Sequence, residues 1–536
     1  NYFTRSLTPY FYAVDMASVS EEFPEQYSTT KIQEGTEYIS QSDVTRYSDN
    51  VFYLDARLNY ARSFGKHNVT AMAMYMMRQY ISSVLPQRNQ GFSGRATYDY
   101  DNRYLAEFNF GYNGTERLEA GKRYEFFPAM SLGWVASNEK FWTPIIDVVN
   151  YFKLRSSFGL VGSDETGLYA GAPHYLYLSN VNMNGGGNFE SGVTGGLSQQ
   201  GPMVNSYPVS NASWERATEF DIGVDLQLFK QFNFTFDWFS SKRDRILMKR
   251  ASFPSVLGYQ NAIPWANVGK VDNMGFEFSA NWTKQINKDW FIDARFNWTY
   301  SRNKYVYVDE PDYPYVWQTQ TGKPLDAMRG YIADGLFESQ AEIDASPDQT
   351  IFGSTIMPGD IRYRDINGDN RITAEDQVML SPFGNMPRIQ YGFGISVQWK
   401  NLDASVFFNG SAKRNIMLTG MYPFCANDSN DNNLMKWIAD SHWSEGADNS
   451  NVLYPRLGTL STQISNNNQP SSWWMRNGSF LRFKTLEIGY RLKWFRLYFS
   501  ADNLAVWSKF KYWDPELSFN SYPLQRTFNI GLQFNL

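Results

Sequence analysis

A run of oxygen-bearing side chains with the spacing of a calcium loop stands at residues 365–376, which read DINGDNRITAED. Calcium loops take oxygen ligands from positions 1, 3, 5, 7, 9 and 12 of a twelve-residue stretch. The predicted ligands are, in that order, Asp365, Asn367, Asp369, Arg371 through its carbonyl, Thr373 and Asp376. The spacing therefore predicts a calcium ion with a structural role.

Two positions in this stretch differ from the usual calcium loop. Glycine normally stands at position six, where the chain turns left-handed, and this sequence has Asn370 there, which tolerates that conformation. Asp376 is shorter than the usual glutamate of position twelve. A solvated acidic turn, ordered by hydrogen bonds from its own side chains, is the alternative that stays open.

The elements around the loop do not match the helices of an EF-hand, because apolar residues there alternate with polar ones. Residues 220–228, FDIGVDLQL, and 232–238, FNFTFDW, show the pattern most clearly. Strands put successive side chains on opposite faces, so each of these segments has one apolar and one polar face. The pattern predicts about sixteen antiparallel strands, near residues 1–10, 51–63, 67–78, 91–100, 103–114, 126–136, 151–160, 217–229, 231–247, 267–283, 289–304, 388–400, 401–412, 480–492, 495–506 and 525–536.

Strand length and wiring favour a membrane barrel over a soluble sandwich. Many predicted strands run about 10 to 14 residues, near the roughly 9 to 11 that outer-membrane strands need and above the globular mode of about 5 to 6. Short and long connections alternate, as in bacterial outer-membrane barrels. Charges in the middle of the polar face, which look unpaired, suit a wet lumen. The longest apolar run, 71–77, is too short for a membrane-spanning helix.

Composition excludes several other classes of function. The net charge is −5 and the sequence has no basic tract, so nothing in it indicates nucleic-acid binding. The one cysteine, Cys425, excludes an intramolecular disulfide within this sequence and a cysteine-based zinc cluster. The three histidines are far apart and no nucleophile motif is present, so enzyme activity has no support.

Eight stretches, in order along nearly the whole chain, resemble signatures of one family. They are SLGW at 131–134, SNEKF at 137–141, LRSSFGLVG at 154–162, NVGKVDNMGFE at 267–277, GDIRYRDINGDNRIT at 359–373, PRL at 455–457, SFLRFKTLEIGY at 479–490 and ADNLAVWSKFKYWDPE at 501–516. The family is that of the SusC-like (SusC/RagA) TonB-dependent outer-membrane transporters of Bacteroidetes.

The resemblance implies an all-β fold, a transmembrane antiparallel β-barrel with long extracellular loops and short periplasmic turns. Family barrels have 22 strands around an N-terminal plug, so about sixteen strands identify residues 1–536 as the C-terminal portion of the barrel. The plug domain, the TonB-contacting segment and the other strands are then expected outside this sequence. The implied location is the cell outer membrane, which the chain would cross many times.

The function implied by the resemblance is import of nutrient oligomers, oligosaccharides or peptides. A SusD-like surface lipoprotein would close over the long loops, and the TonB complex would supply energy through the plug. Two other interpretations stay open: a passive porin-like channel embedded in outer-membrane lipid, and a secreted carbohydrate-binding β protein.

Aromatic residues in the long loops are the candidates for ligand contact. Loops 161–216 and 413–479 are expected to touch the lipoprotein or the ligand, since only long outer loops are placed to do so. Within the second loop, the predicted substrate-binding residues are Trp437, Trp443, Trp473 and Trp474. Aromatic faces beside amides suit sugar rings or peptides, whereas loop packing and a place in the interfacial girdle are the other roles open to them.

Overall fold

One antiparallel sheet of fifteen strands dominates this computed structural model. The structure describes residues 5–15, 28–41, 48–82, 85–165, 174–192, 196–254, 256, 262–418, 434–458, 461–519 and 521–534. The strands pair in chain order: β1 (Asn50–Phe64), β2 (His67–Ile81), β3 (Gln87–Tyr100), β4 (Tyr104–Thr115), β5 (Tyr124–Val135), β6 (Val149–Ser163), β7 (Glu215–Leu228), β8 (Phe232–Lys249), β9 (Trp265–Gln285), β10 (Trp290–Tyr307), β11 (Ile389–Trp399), β12 (Leu402–Ala412), β13 (Phe480–Arg491), β14 (Phe495–Ser508) and β15 (Thr527–Phe534).

Fifteen of the predicted strands are therefore confirmed, and the one near residues 1–10 is wrong. Its described part contains only Arg5–Ser6, which pairs with Ser40–Gln41 in a small separate ribbon. Residues 1–4 lie outside the described part of the chain. The predicted loop 79–90 is also shorter than expected, because β2 and β3 extend into it and leave only 82–86 between them.

Short turns join the strands at one end of the sheet and long connections at the other. The turn Asp101–Asn102 has φ angles of 56° and 53°, the left-handed pair of a tight hairpin whose twist matches its strands. The long connections 164–214, 308–388 and 413–479 all start and finish at the opposite end. The predicted alternation of connections is thus present, with 82–86 as a short member of the long set.

The two faces of the sheet differ as the alternation predicts. On the apolar face, Phe278 lies 6.2 Å from Phe234 and 6.0 Å from Phe296, ring centroid to ring centroid. Val397 pairs with Ile292 and shares that face. A further set of aromatic residues, exposed on the same face near the short-turn end, forms what we call the aromatic belt. Its members are Tyr104, Trp134, Trp290, Trp399 and Tyr490.

The polar face corrects one expectation, because charges there that looked unpaired have partners. Arg155 on β6 reaches Asp225 on β7 at 3.4 Å and Asp237 on β8 at 2.6 Å. Arg295 lies over the ring of Phe407, 5.1 Å from its centroid. The alternation predicts which face a charge occupies, whereas its partners come from other strands, which the alternation does not identify.

The chain divides into two compact units, residues 1–56 with 75–91, and 57–74 with 92–536. The smaller unit contains the ribbon of Phe11–Asp15 and Ser28–Gln33. Of the described residues, none belongs to a helix long and apolar enough to cross a membrane. The described helices of the larger unit are α1 (Gln340–Asp344) and α2 (Lys436–Ala439). Its described 3-10 turns are Ala136–Asn138, Lys140–Ile145, Val316–Gln318, Thr350–Phe352, Ala374–Asp376, Ser461–Gln463 and Asn466–Asn468. Its short strands pair as Asn180–Asn182 with Met203–Ser206, Asn188–Ser191 with Leu197–Gln200, Met328–Gly330 with Val378–Ser381, Ala333–Leu336 with Ile361–Tyr363, and Asn415–Met417 with Met475–Asn477.

Replacing Phe296 with arginine tests which face meets lipid. We expect Phe296→Arg to cost about 2 to 4 kcal/mol, because a charge near the bilayer midplane has no partner there. The control is Asn297→Arg, one residue along and on the polar face, for which we expect a much smaller loss. Both are measured as urea-dependent folding of the full-length protein into phospholipid vesicles. An equal loss at the two positions would contradict the assignment of the faces.

Candidate functional site

The two longest connections, 308–388 and 413–479, pack on each other at the long-connection end of the sheet. We call their described residues the loop module. Its core is a cluster of buried side chains: Tyr331, Ile361, Tyr363, Ile372, Ile416, Leu418, Ile438, Tyr454 and Trp474, joined by Phe510 from the connection after β14. Packing between segments distant in sequence therefore orders the connection that carries the DINGDN turn.

A buried network of amides joins the two connections inside this core. Gln349 donates from Nε2 to the Asn466 Oδ1 at 2.9 Å. Asn467 donates from Nδ2 to the Asp360 Oδ1 at 2.8 Å, and its own Oδ1 accepts from the Ile361 N–H at 2.9 Å. Both asparagine side chains are fully buried, so each of these bonds removes a desolvation cost that the fold would otherwise carry.

An ion pair between Arg456 and Asp360 completes this network. The guanidinium donates from Nε to Oδ1 at 2.9 Å and from Nη2 to Oδ2 at 3.2 Å. Burial raises the pKa of the Asp360 carboxyl, although Arg456 and the Met357 N–H both act to lower it. Arg456 belongs to the PRL stretch and Asp360 to the GDIRY stretch, so two signatures quoted separately above meet in one contact.

A second buried arginine joins another two of those stretches. Arg482, in β13, is 1% exposed, and its Nη2 donates to the Asp514 Oδ1 at 2.6 Å. Its Nε donates to the Glu516 Oε2 at 2.7 Å. The sequence alone did not identify Asp360, Arg456 or Arg482 as interacting residues. The signal was present in the signatures, but spacing along the chain does not reveal which signatures touch.

The DINGDN turn is held by hydrogen bonds between its side chains and its own backbone. Asp365 accepts from the Gly368 N–H at 2.7 Å and from the Asn370 N–H at 2.8 Å. Asp369 accepts from the Arg371 N–H at 2.9 Å. Asn370 has φ of 68°, the left-handed conformation that the sixth position of a calcium loop requires.

The left-handed Asn370 fits a calcium loop, whereas the carboxylates of the turn, Asp376 above all, are directed at backbone amides. The Asp376 side chain is fully buried, accepts from the Ile366 N–H at 2.8 Å and the Thr373 N–H at 2.8 Å, and caps the turn Ala374–Asp376. Asn367 directs its Oδ1 to the Asp369 N–H at 3.0 Å. Across the described ranges, no three acidic, histidine or cysteine side chains form a group that could hold a metal. The twelfth-position carboxylate is thus directed at backbone amides.

The four predicted ligand-contacting tryptophans do not form one site. Trp474 is buried in the core of the loop module, with its ring centroid 5.3 Å from that of Tyr454. Its role is therefore loop packing, the alternative to ligand contact. Trp437 packs against Tyr512 with ring centroids 5.0 Å apart. Neither belongs to the described residues that line the cavity bordered by the other two tryptophans.

Trp443 and Trp473 border one cavity of about 980 Å³ in the loop module. The Trp473 indole donates to the Leu453 carbonyl at 3.0 Å, which fixes its orientation. The Trp443 ring lies against Gly359, whose φ is 89° and where any Cβ would overlap the ring. A glycine is therefore required at this contact.

The cavity wall has more carboxylates than guanidinium groups. Its charged residues are Asp334, Glu338, Glu342, Glu445 and Asp448, with Arg362 and Arg456. Both arginines are already ion-paired, Arg362 with Glu342 and Arg456 with Asp360. Hydrogen bonds from Ser450, of which the backbone N–H gives the largest effect, hold the pKa of Asp448 below its usual value. The cavity thus offers aromatic surface and hydrogen-bond acceptors in a negative environment, which disfavours anionic ligands.

Long antiparallel strands with one apolar face, short turns at one end and large folded connections at the other define an outer-membrane β-barrel. The chain belongs to a family of such proteins, described as "TonB dependent receptor-like, beta-barrel", which matches residues 2–504. Its members are outer-membrane receptors and transporters rather than enzymes. The expected location and the SusC-like resemblance are confirmed.

Two relatives and one solved structure illustrate the similarity. The chain is 24% identical to TonB-dependent receptor P3 of Formosa agariphila, covering 89% of this chain and 51% of the relative. It is 25% identical to TonB-dependent receptor SusC of Bacteroides thetaiotaomicron, covering 96% and 53%. The RagAB peptide importer in its closed-closed state has the same fold, with a TM-score of 0.66, 18% identity, and coverage of 91% and 56%. The chain thus spans about half the length of these proteins.

Removing Arg456 tests the buried ion pair. Arg456→Ala should destabilise the loop module by about 3 to 5 kcal/mol, because it leaves a buried carboxylate without its cation. Arg364→Ala is the control, since the Arg364 side chain is exposed in its pair with Asp334 and its removal should cost much less than that of Arg456. Hydrogen exchange at the amides of residues 359–363, in the full-length protein, is the measurement.

The same variant has a predicted pH dependence. Because the folded-state pKa of Asp360 lies above its unfolded value, the folded state binds more protons between the two, and stability falls as pH rises through that window. Arg456→Ala should strengthen this dependence, so its module is more protected at acidic than at neutral pH. Exchange rates that match wild type at both pH values would show that the ion pair does not stabilise the module.

Proposed function

We propose that this chain forms the C-terminal portion of the barrel of an outer-membrane importer for nutrient oligomers, oligosaccharides or peptides, energised through TonB. The observation that carries this proposal is the loop module, a packed structure with an open cavity at the end of the sheet where long connections face the cell exterior. An importer needs such a structure to capture its ligand, whereas a passive pore needs only an open lumen. The peptide importer RagAB, with the same fold, supports this proposal.

The proposed activity belongs to a protein longer than the chain. A plug and a TonB-contacting segment would be supplied by sequence N-terminal to these residues, consistent with coverage of about half of each relative. A SusD-like lipoprotein would cover the long connections. The connection 164–214 offers it exposed apolar side chains, Phe189 and Leu197, on the paired strands Asn188–Ser191 and Leu197–Gln200.

We propose that the ligand contacts the cavity beside Trp443 and Trp473. The negative wall favours a neutral or cationic oligomer over a sulfated or phosphorylated one. Indole faces contribute by stacking on sugar rings or on peptide side chains, and the carboxylates accept hydrogen bonds from hydroxyls or amines. Trp437 and Trp474 then act indirectly, by supporting the module.

Binding by cavity variants tests this assignment. Trp443→Ala and Trp473→Ala, in the full-length protein with its lipoprotein, should each weaken binding about tenfold or more, which is about 1.4 kcal/mol. The control is Tyr522→Ala, which removes an aromatic ring exposed outside the cavity and should leave affinity unchanged. Titrations use panels of neutral, cationic and anionic oligosaccharides and peptides. Unchanged affinity for every ligand in both tryptophan variants would show that the ligand binds outside this cavity.

Energy coupling is tested separately in cells. Dissipating the proton gradient, or deleting TonB, should abolish uptake of the bound ligand while leaving surface binding intact. Uptake that continues without either would identify a passive channel.

We further propose a structural calcium ion at the DINGDN turn, held by Asp365, Asn367, Asp369, the Arg371 carbonyl and the side chains of Thr373 and Asp376. The ligand spacing and the left-handed Asn370 support it. Binding would require the Asp376 carboxylate to exchange its hydrogen bonds from the Ile366 and Thr373 N–H groups for the metal, which opposes binding. The role is structural, because one turn supplies all the protein ligands.

Thermal unfolding in calcium and in chelator separates this proposal from a solvated turn. The Tm of wild type should rise in calcium, and the double variant Asp365→Ala, Asp369→Ala should lose that rise. The control is Asp348→Ala, because Asp348 accepts hydrogen bonds from Thr350 in the same module and is outside the predicted ligand set. A wild-type Tm that is equal in calcium and in chelator would leave only the solvated turn.

A further inference from the structure

An apolar patch lies at the short-turn end of the sheet, in the one long segment that the described part of the chain has there. Residues 136–148 connect β5 to β6, while the neighbouring connections at this end are tight turns. Its exposed apolar side chains are Phe141, Ile145, Ile146 and Val148, and Phe141 is 63% exposed. Exposing such a cluster to water is unfavourable, so we expect lipid or another molecule to cover these side chains.

Contacts of Glu139 place this segment on the apolar face of the sheet. Its carboxylate accepts from the Tyr104 hydroxyl at 2.6 Å and from the Trp134 Nε1 at 3.4 Å. Both partners belong to the aromatic belt, and the ring of Phe141 lies 6.3 Å from that of Trp134. The patch is therefore continuous with the surface that meets lipid.

Trp142 fixes the other side of the segment. Its ring stacks on Phe152 of β6, with centroids 5.3 Å apart, and its Nε1 donates to the Val149 carbonyl at 2.9 Å. Phe152 is paired with Leu226, on the apolar face. The segment is thus folded against the outside of the sheet, and its 3-10 turn Lys140–Ile145 holds the exposed side chains in place.

We propose that residues 136–148 form an interfacial anchor, which inserts Phe141, Ile145 and Ile146 into the periplasmic leaflet at the boundary between phospholipid headgroups and acyl chains. The occupant is lipid because the patch extends the aromatic belt at the depth where such belts meet headgroups. Short segments with apolar side chains on one face and polar ones on the other bind at this boundary. The anchor fixes the depth of the barrel in the membrane and is independent of what the protein transports.

The polar surface beside the patch suits a zwitterionic headgroup. A groove of about 450 Å³ lies there, lined by residues that include Asp101, Arg103, Asn138 and Lys140, together with Ile146. Lys140 offers a cationic group for a phosphate, while Arg103 is ion-paired with Asp101 and Glu139, whose carboxylates can also accept hydrogen bonds from an amine. The groove and the patch share Ile146, so one phospholipid molecule can contact both.

Spin-label accessibility tests the anchor in the full-length protein, reconstituted in bilayers of phosphatidylethanolamine and phosphatidylglycerol. In a background with Cys425→Ser and any other cysteines replaced, single labels are placed by Phe141→Cys and Ile145→Cys. The matched control is Lys288→Cys, on the exposed turn 286–289 at the same end of the sheet. Collisions with oxygen report on lipid, and collisions with a water-soluble nickel complex report on the aqueous phase.

We expect the ratio of oxygen to nickel collisions to be severalfold higher at positions 141 and 145 than at position 288. A ratio at positions 141 and 145 equal to that at 288 would overturn the anchor. Dipolar broadening between labels, removed by diluting labelled with unlabelled protein, would instead identify a second copy as the occupant and also overturn the proposal. All labelled positions are exposed, so heat-modifiable gel migration can confirm that each variant is folded.

Discussion

Backbone pairing inside the membrane is the constraint on which the rest of this structure depends. An N–H or C=O group without a partner costs several kcal/mol in hydrocarbon, so a strand that crosses a bilayer must have neighbours. The strands pair in chain order, so that thirteen of the fifteen have a described neighbour on each side, and β1 and β15 stand at the edges of the described sheet. The two-residue alternation follows from it, because a paired strand exposes one face to lipid and the other to the lumen. The aromatic belt and the segment 136–148 occur where hydrocarbon gives way to headgroups.

Beyond the membrane, buried polar contacts take over the role of backbone pairing. The connections at the exterior end have few regular elements, and Asp360, Arg456, Asn466 and Asn467 specify how they pack. Each of these polar side chains is costly to bury without a partner and favourable to bury once all its partners are present. The network therefore favours one packing of the connections over other packings. Such an arrangement holds Trp443 and Gly359 in contact and keeps the cavity open, which a flexible loop would not do.

The sequence predicted what depends on local periodicity and missed what depends on distant contacts. Strands from β1 to β15 were predicted to within a few residues, because alternation is a property of neighbours. The strand near residues 1–10 was wrong, since a short alternating run does not show which segment it pairs with, and Arg5–Ser6 pairs outside the large sheet. The contact between Arg456 and Asp360 joins positions too far apart for spacing to indicate. Trp473 and Trp474 are adjacent, yet one borders the cavity and the other is buried, and only packing separates them.

Lipid contact along a single strand tests the central claim, that this alternating sheet spans the outer membrane. A photoreactive amino acid is placed in turn at each of residues 291–299 of β10, in the full-length protein in its native membrane, and lipid adducts are measured by mass spectrometry. The account predicts adducts at positions 292, 294, 296 and 298 and none, or far fewer, at the positions between them. Adducts without a two-residue period, or no adducts along the whole strand, would contradict it.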